Sequence, residues 1–258
     1  RLFNLESLVV RPILEPDDKI RLSKIGASLV RDTRERCEPG LLARSLDAAD
    51  DEVPGNPGEV CRYNQTDATR GGFLNLDYAV ALRQLGGNIS FNRFQATYRR
   101  YYKVSAFRDT VLAANMTLGL ANLFNPRDRG GNGTIDEIEF TLPISERFFS
   151  GGATTLRGFN YEEAGPREVV IPEGEFRNQD GDLVFLNPFT VPVGGNALAV
   201  INLEARIPVT RSVQDVPFFD GGNVFRRIGD LFGRDDPAPV PPGDILAEIK
   251  AANLRARW

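Results

Sequence analysis

Four stretches of this chain alternate apolar and polar residues over ten positions or more, and that period constrains the fold more than any motif does. In 73–82, Leu74, Leu76, Tyr78, Val80 and Leu82 share one parity, while Asn75, Asp77, Ala79 and Ala81 share the other. Residues 89–102 set Phe94, Ala96, Tyr98 and Tyr102 against Gln95, Thr97 and Arg99. Residues 110–120 set Leu112, Ala114, Met116, Leu118 and Leu120 against Ala113, Asn115, Thr117 and Gly119. In 197–208, Ala199, Ile201, Leu203, Ala205 and Ile207 oppose Asn202, Glu204 and Arg206. Period two predicts strands. Strands of soluble domains average about 5–6 residues, whereas a tilted membrane strand needs about 9–11. The expected fold is therefore all-β, an antiparallel transmembrane barrel. Its apolar rows face lipid, and its small and polar rows face a wide lumen. Shorter runs at 20–33 (Ile25, Ala27 and Leu29 on one face, Gly26 and Ser28 on the other) and at 216–225 read the same way. So do 1–14, up to a turn at 15–19, and 253–258. The count is about eight membrane-type strands. Tyr101 and Tyr102 are expected in an interfacial aromatic girdle.

Composition removes several alternatives. The chain contains no histidine, which excludes Ser-His and Cys-His pairs and any histidine-bearing zinc site. No cofactor and no metal is implied, and no enzyme is expected. The net charge is −4, with 31 basic and 35 acidic residues well mixed, so no nucleic-acid patch is expected. No run approaches the roughly 18 apolar residues of a membrane helix, and a barrel is the other structure that satisfies its backbone in lipid. Cys37 and Cys61 lie in one polar insertion, 34–70, without metal-ligand spacing. They read as a disulfide in an oxidising compartment, with two free thiols as the alternative. The chain begins at Arg1 and its only methionine is Met116, which reads as a mature or partial chain.

The connections also carry information. Residues 124–196 are too long for an ordinary hairpin loop, and such loops are usually functional or disordered. Ile138, Phe140, Leu142 and Ile144 alternate within it, so part of it is expected to be extended. It contains Glu146-Arg147-Phe148-Phe149-Ser150-Gly151-Gly152-Ala153-Thr154-Thr155-Leu156-Arg157-Gly158-Phe159. An arginine between Leu and Gly is ordinarily a solvated surface residue. What distinguishes Arg157 is its company: Asn202-Leu-Glu204-Ala-Arg206-Ile-Pro208 downstream, then Pro217-Phe-Phe-Asp220-Gly221-Gly222. Residues 226–252 form a further loop with a possible short helix at 244–252.

These three segments, in this order, resemble the BamA/TamA outer-membrane protein insertase family. The Arg-Asp-Thr-Arg and Thr-Arg-Gly-Gly ends of the 34–70 insertion are similar to a family pattern that usually encloses only a short turn. The resemblance implies roughly the middle-to-C-terminal half of a sixteen-stranded barrel occupying 1–258, without its periplasmic POTRA domains. It implies that the 124–196 loop folds back into the lumen and that 226–252 is extracellular. It implies that Arg157 meets Glu204 and Asp220, with Gly221 beside them. Gly151, Gly152, Leu156, Gly158 and Phe159 then complete the tip, with Phe159 expected against the lumen wall. The implied location is the bacterial outer membrane. The implied partners are the lipid bilayer, unfolded outer-membrane proteins, periplasmic chaperones and assembly lipoproteins. The alternatives are a TamA-type or two-partner secretion translocator, which shares the loop motif, and a passive outer-membrane channel, whose loops would not need Arg157 to meet Glu204 and Asp220. A soluble all-β protein would instead bury the Leu74/Leu76/Tyr78 face in its core.

Overall fold

The structure, a computed structural model, describes residues 20–39, 59–107, 109–124, 142–170, 176–177, 183–184, 189–210 and 213–233. The expected strands at 1–14 and 253–258, the turn at 15–19, the helix at 244–252 and the alternation at 138–141 lie outside these residues.

One antiparallel sheet dominates. Its long strands are β1 (Lys24–Asp32), β4 (Gly71–Ala81), β5 (Phe91–Val104), β6 (Thr110–Leu123), β11 (Ala197–Pro208) and β13 (Phe218–Phe225). They pair in the order β1-β4-β5-β6-β11, with β13 beside β11. A two-residue strand, β12 (Gln214–Asp215), joins the far end of β11, and Pro217 interrupts the run before β13. Proline has no N–H for a ladder bond, yet its carbonyl still accepts from the Ala205 amide at 3.0 Å. The interior strands β4, β5, β6 and β11 have 11, 14, 14 and 12 residues, the length of membrane-crossing rather than soluble strands. Among the described residues no helix is long and apolar enough to cross a membrane.

Register fixes which residues share a face. Leu74 opposes Tyr98, Tyr98 opposes Met116, and Met116 opposes Ile201. This outer face is exposed: Tyr78, Tyr98, Leu112, Met116, Ile201 and Leu203 are all between 40% and 53% accessible. A contiguous apolar surface of this kind marks contact with a membrane or a partner. The soluble reading required that face to be the core, and the core lies on the other one. Phe91, Leu123, Leu198, Val200 and Val224 point inward and pack with Leu142, Phe148, Leu156 and Ala164 of the long loop. Tyr102 is 63% exposed, as a girdle residue should be. Tyr101, its neighbour and so of opposite parity, opposes the inward Ala113 and stacks on Arg206 at 5.6 Å. Only one of two adjacent strand residues can face lipid.

The insertion at 34–70 contains a hairpin that alternation did not reveal, because its strands are short and polar. These are β2 (Glu35–Pro39) and β3 (Glu59–Tyr63), and the Cys37–Cys61 disulfide joins directly opposed residues. The hairpin leaves the sheet at the end where β5 turns into β6 and β11 into β12, opposite to the end that carries the long loop.

The loop is fastened across the inner face. Phe148 and Gly195 exchange backbone hydrogen bonds at 2.8 and 3.0 Å and close its neck. Beyond the tip, β7 (Arg167–Val170) pairs with β10 (Phe189–Pro192); β8 (Phe176–Arg177) pairs with β9 (Leu183–Val184). These strands, in a part of the loop where alternation gave no signal, pair with each other. On the near side Lys24 Nζ meets Glu146 Oε1 at 2.5 Å, tying the loop to β1. In the middle the Phe148 ring lies on Gly119 with Arg93 over it at 4.4 Å. A Cβ on Gly119 would sit 2.6 Å from the Phe148 ring. Gly119→Ala is expected to cost about 1–3 kcal/mol by overpacking. It should lower the denaturation midpoint of the intact protein followed by heat-modifiable electrophoretic mobility, and an unchanged midpoint would show that Phe148 does not hold the loop there.

Candidate functional site

The tip of the loop is a tight turn on two glycines. Gly151 has φ +122°, and a Cβ there would fall 2.3 Å from the Asn160 carbonyl oxygen, so only glycine fits this crossing. Gly152 and Gly158 also take positive φ. The Thr155 hydroxyl accepts from the Gly151 amide and donates to the Gly151 carbonyl, both at 2.9 Å. The Ala164 amide donates to the Ser150 carbonyl at 2.9 Å, closing the tip. Leu156 is 2% exposed and draws the next residue toward the wall. Phe159, expected against the lumen wall, is instead 51% exposed; the apolar plug is Leu156.

Arg157 then lies on the inner face between β11 and β13. Its Nε donates to Asp220 Oδ2 at 2.7 Å and its Nη2 to Asp220 Oδ1 at 2.6 Å, a two-pronged contact. Its Nη1 donates to Glu204 Oε1 at 2.8 Å. Its own backbone N–H also reaches Asp220 Oδ2, at 3.0 Å. The guanidinium carbon stands 3.7 Å from the centre of the Phe218 ring. Charge-assisted, bidentate bonds are the strong class, and a flat guanidinium both forks onto a carboxylate and stacks on an aromatic face. Hydrogen bonds to Asp220, and then to Glu204, outweigh partial burial and hold the Arg157 group further above its usual range.

Parity explains why the wall residues converge. Asn202 opposes Asp220 and Glu204 opposes Phe218, so all four share the inner face. Gly221, expected among the lumen partners, opposes Ile201 on the lipid-facing row, and a Cβ there would meet the Phe219 and Ile201 side chains. The inner-face glycine is Gly222. Arg206 Nη2 lies 3.4 Å from Glu204 Oε2, and Arg206 Nη1 lies 4.0 Å from Asp67 Oδ1. Around this cluster lies a polar recess bounded by Arg99, Tyr101, Asn115, Arg157, Glu204 and Arg206. Sequence reasoning missed Phe218 as the shelf for Arg157, Asn202 as a loop contact, and the Lys24–Glu146 tie. Phe218 was legible in principle, being two residues from Asp220 and so of the same parity. The Lys24–Glu146 pair, 122 residues apart, left no local signal.

A family model for the Omp85 superfamily domain matches residues 62–236. The chain belongs to the Omp85 superfamily. It is an outer-membrane β-barrel chain, and the sheet described above is a piece of that barrel's wall. A solved structure similar to it is BamA from Haemophilus ducreyi lacking POTRA domains 1–3, 17% identical, with a TM-score of 0.47, covering 86% of this chain. The chain spans 45% of that structure's length.

Substitutions at the cluster should rank by what each leaves stranded. Arg157→Ala abandons Asp220, whose side chain is only 5% exposed; removing one partner of a fully buried pair costs about 3–5 kcal/mol. Asp220→Ala leaves the guanidinium with Glu204 and Phe218, a smaller loss. Glu204→Ala removes a bond between groups 26% and 24% exposed, with an expected loss of about 1 kcal/mol. Arg157→Lys should behave more like Arg157→Ala than like the parent, because an ammonium cannot fork or stack. Protease cleavage within 150–164 in native membranes, titrated with urea, should give that order; equal or reversed effects would contradict the geometry.

Proposed function

We propose that this chain is the barrel-wall and loop portion of an insertase that folds β-barrel proteins into the bacterial outer membrane. Its long loop is the element that keeps the lumen in a working shape. The observation that carries the reading is Arg157, held by Asp220 and Glu204 on the inner face of a sheet whose outer face is apolar and exposed. A passive pore needs no loop pinned by three charged groups. An assembly factor that changes shape needs a loop that stays fixed while the rest of the wall moves.

In this reading 1–258 is one partial barrel domain. Residues 34–70 are a disulfide-braced insertion, 124–196 the lumen loop, and 226–252 an extracellular loop. With the long loop at the outer surface, the Cys37–Cys61 hairpin projects into the periplasm. Gly151, Gly152, Leu156, Arg157, Gly158 and Phe159 act as the tip, and Glu204 and Asp220 as its receptors. The partners are the lipid bilayer, unfolded outer-membrane proteins, periplasmic chaperones and assembly lipoproteins. The chain performs no bond-making chemistry: its work is mechanical. The alternative within the same family is a TamA-type or two-partner secretion translocator.

The test replaces Arg157 with Ala in the intact protein and follows folding of a reporter porin in cells depleted of the parent. Assembly should fall severalfold while the variant itself still reaches the outer membrane. Normal porin assembly by a variant that has released its loop would overturn the insertase reading in favour of a passive barrel. Normal porin assembly with lost export of one dedicated substrate would favour the translocator.

A further inference from the structure

We propose that Asn202 is the positioning residue of the loop, gripping the loop backbone and aiming Asp220 at Arg157. Docking then depends on this amide as well as on the ion pair. The inference rests on the reading of the loop as a docked working element, and it adds a residue that the Arg157–Glu204–Asp220 set does not contain.

Asn202 is the fifth member of a six-residue register row. Across the inner face, Asp32 opposes Phe73, Phe73 opposes Arg99, Arg99 opposes Asn115, Asn115 opposes Asn202, and Asn202 opposes Asp220. Side chains directly opposite on one face are close enough to bond. From Arg99 onward they do. Arg99 Nε donates to Asn115 Oδ1 at 3.3 Å, and Asn115 Nδ2 donates to Asn202 Oδ1 at 2.8 Å. Asn202 Nδ2 then donates to Asp220 Oδ1 at 2.9 Å and to the Thr155 carbonyl of the loop at 2.6 Å.

Both donors of the amide are used in this arrangement. A primary amide has two N–H donors and one carbonyl acceptor, and here each donor has a different target while the acceptor is fed by Asn115. Fixing the acceptor side decides which way the amide points, so the donors face the loop and Asp220. Asp220 Oδ1 is thereby held before Arg157 arrives, and Oδ2 is left for the Arg157 backbone N–H and Nε. A carboxylate already oriented loses less freedom when the guanidinium binds, which is how pre-organisation favours association. Asn202 is 9% exposed, so water cannot easily take over either donor contact.

The decisive comparison is between Asn202→Ala and Asn202→Asp. Aspartate has the shape of asparagine but only acceptors, and it would face the Thr155 carbonyl and the Asp220 carboxylate. If Asn202 merely fills space, Asn202→Asp is the milder change. If it positions the loop by donation, Asn202→Asp is the worse one. The reporter is Ser150→Cys in the intact protein in native outer membranes. Ser150 is 3% exposed and its hydroxyl has no hydrogen-bond partner among the described residues, so a thiol there disturbs little. Cys37 and Cys61, the two cysteines of residues 1–258, are bonded to each other and leave no competing thiol within them. Labelling of a buried thiol tracks the population of the open loop.

Labelling should rise about tenfold in Asn202→Ala, the factor for one charge-assisted hydrogen bond, and by clearly more in Asn202→Asp. Asn115→Ala, which removes the feed to Asn202 together with the acceptor for Arg99 but no contact to the loop or to Asp220, should raise it about threefold, the lower range of a neutral hydrogen bond. Heat-modifiable mobility identifies variants that still fold, and the comparison is read on those. Parent-like labelling in Asn202→Asp, or a smaller rise than in Asn202→Ala, overturns the proposal. The porin-assembly readout of Arg157→Ala is separate. Its failure would remove the insertase reading and leave the role of Asn202 in loop docking standing or falling on labelling alone.

Discussion

The arrangement depends on one guanidinium placed between two carboxylates and against an aromatic ring. Arg157 reaches Asp220, Glu204 and Phe218 because its loop crosses the inner face of the sheet, and the loop stays there because Arg157 holds its tip. Without that contact the inner face would leave its polar row, and the apolar Phe91, Leu198, Val200 and Val224 beside it, open to solvent. With it, Leu142, Phe148, Leu156 and Ala164 are pressed against Phe91, Leu198, Val200 and Val224, and the sheet gains a second layer. The electrostatic clamp and the apolar burial are therefore one device. The clamp gives direction, and burial gives most of the free energy, since exposed ion pairs alone contribute little.

The fastening is distributed across the sheet. Lys24 on β1 holds Glu146, Arg93 and Gly119 in the middle hold Phe148, and Asp220 on β13 holds Arg157. These points lie on the two described edges and the centre of one six-strand span, so the loop acts as a strap across the wall. A strap of this kind limits how far the outer strands can move relative to each other. It leaves the outer face, which meets lipid, free of any constraint except its own alternation. The disulfide hairpin sits at the opposite end and is tied in by local bonds, such as Arg36 to Asp67 at 2.5 Å and the Cys37 amide to the Thr69 hydroxyl at 2.9 Å.

The strands were legible because a long period-two run has one physical reading. Leu74, Leu76, Tyr78 and Val80, and Ala199, Ile201 and Leu203, share the lipid-side row as parity demanded. Parity also sets the limits of that reading. Tyr101 and Tyr102 cannot share a face, and neither can Asp220 and Gly221, so naming adjacent residues together for one role was bound to misplace one of each pair. The β2–β3 hairpin was invisible because five-residue polar strands carry no alternation against a core. Asn202 could be put on the lumen side from sequence, but its partners come from register across three strands, and register between distant segments is not written in either segment alone. Leu156, and not Phe159, is the buried apolar residue of the tip, because a turn, unlike a strand, has no fixed period to say which side chain points inward.

The central claim is that the loop tip and the wall are coupled through Arg157 and Asp220. The most direct measurement is a double-mutant cycle on that pair in the intact protein in native membranes. It would compare the unfolding free energies of Arg157→Ala, Asp220→Ala and the double variant. Groups in contact within one network show coupling of about 0.5–3 kcal/mol, and the bidentate, largely buried contact predicts a value in the upper half of that range. Additive single effects, with coupling near zero, would contradict the account: Arg157 and Asp220 would then be neighbours in space without holding the loop to the wall.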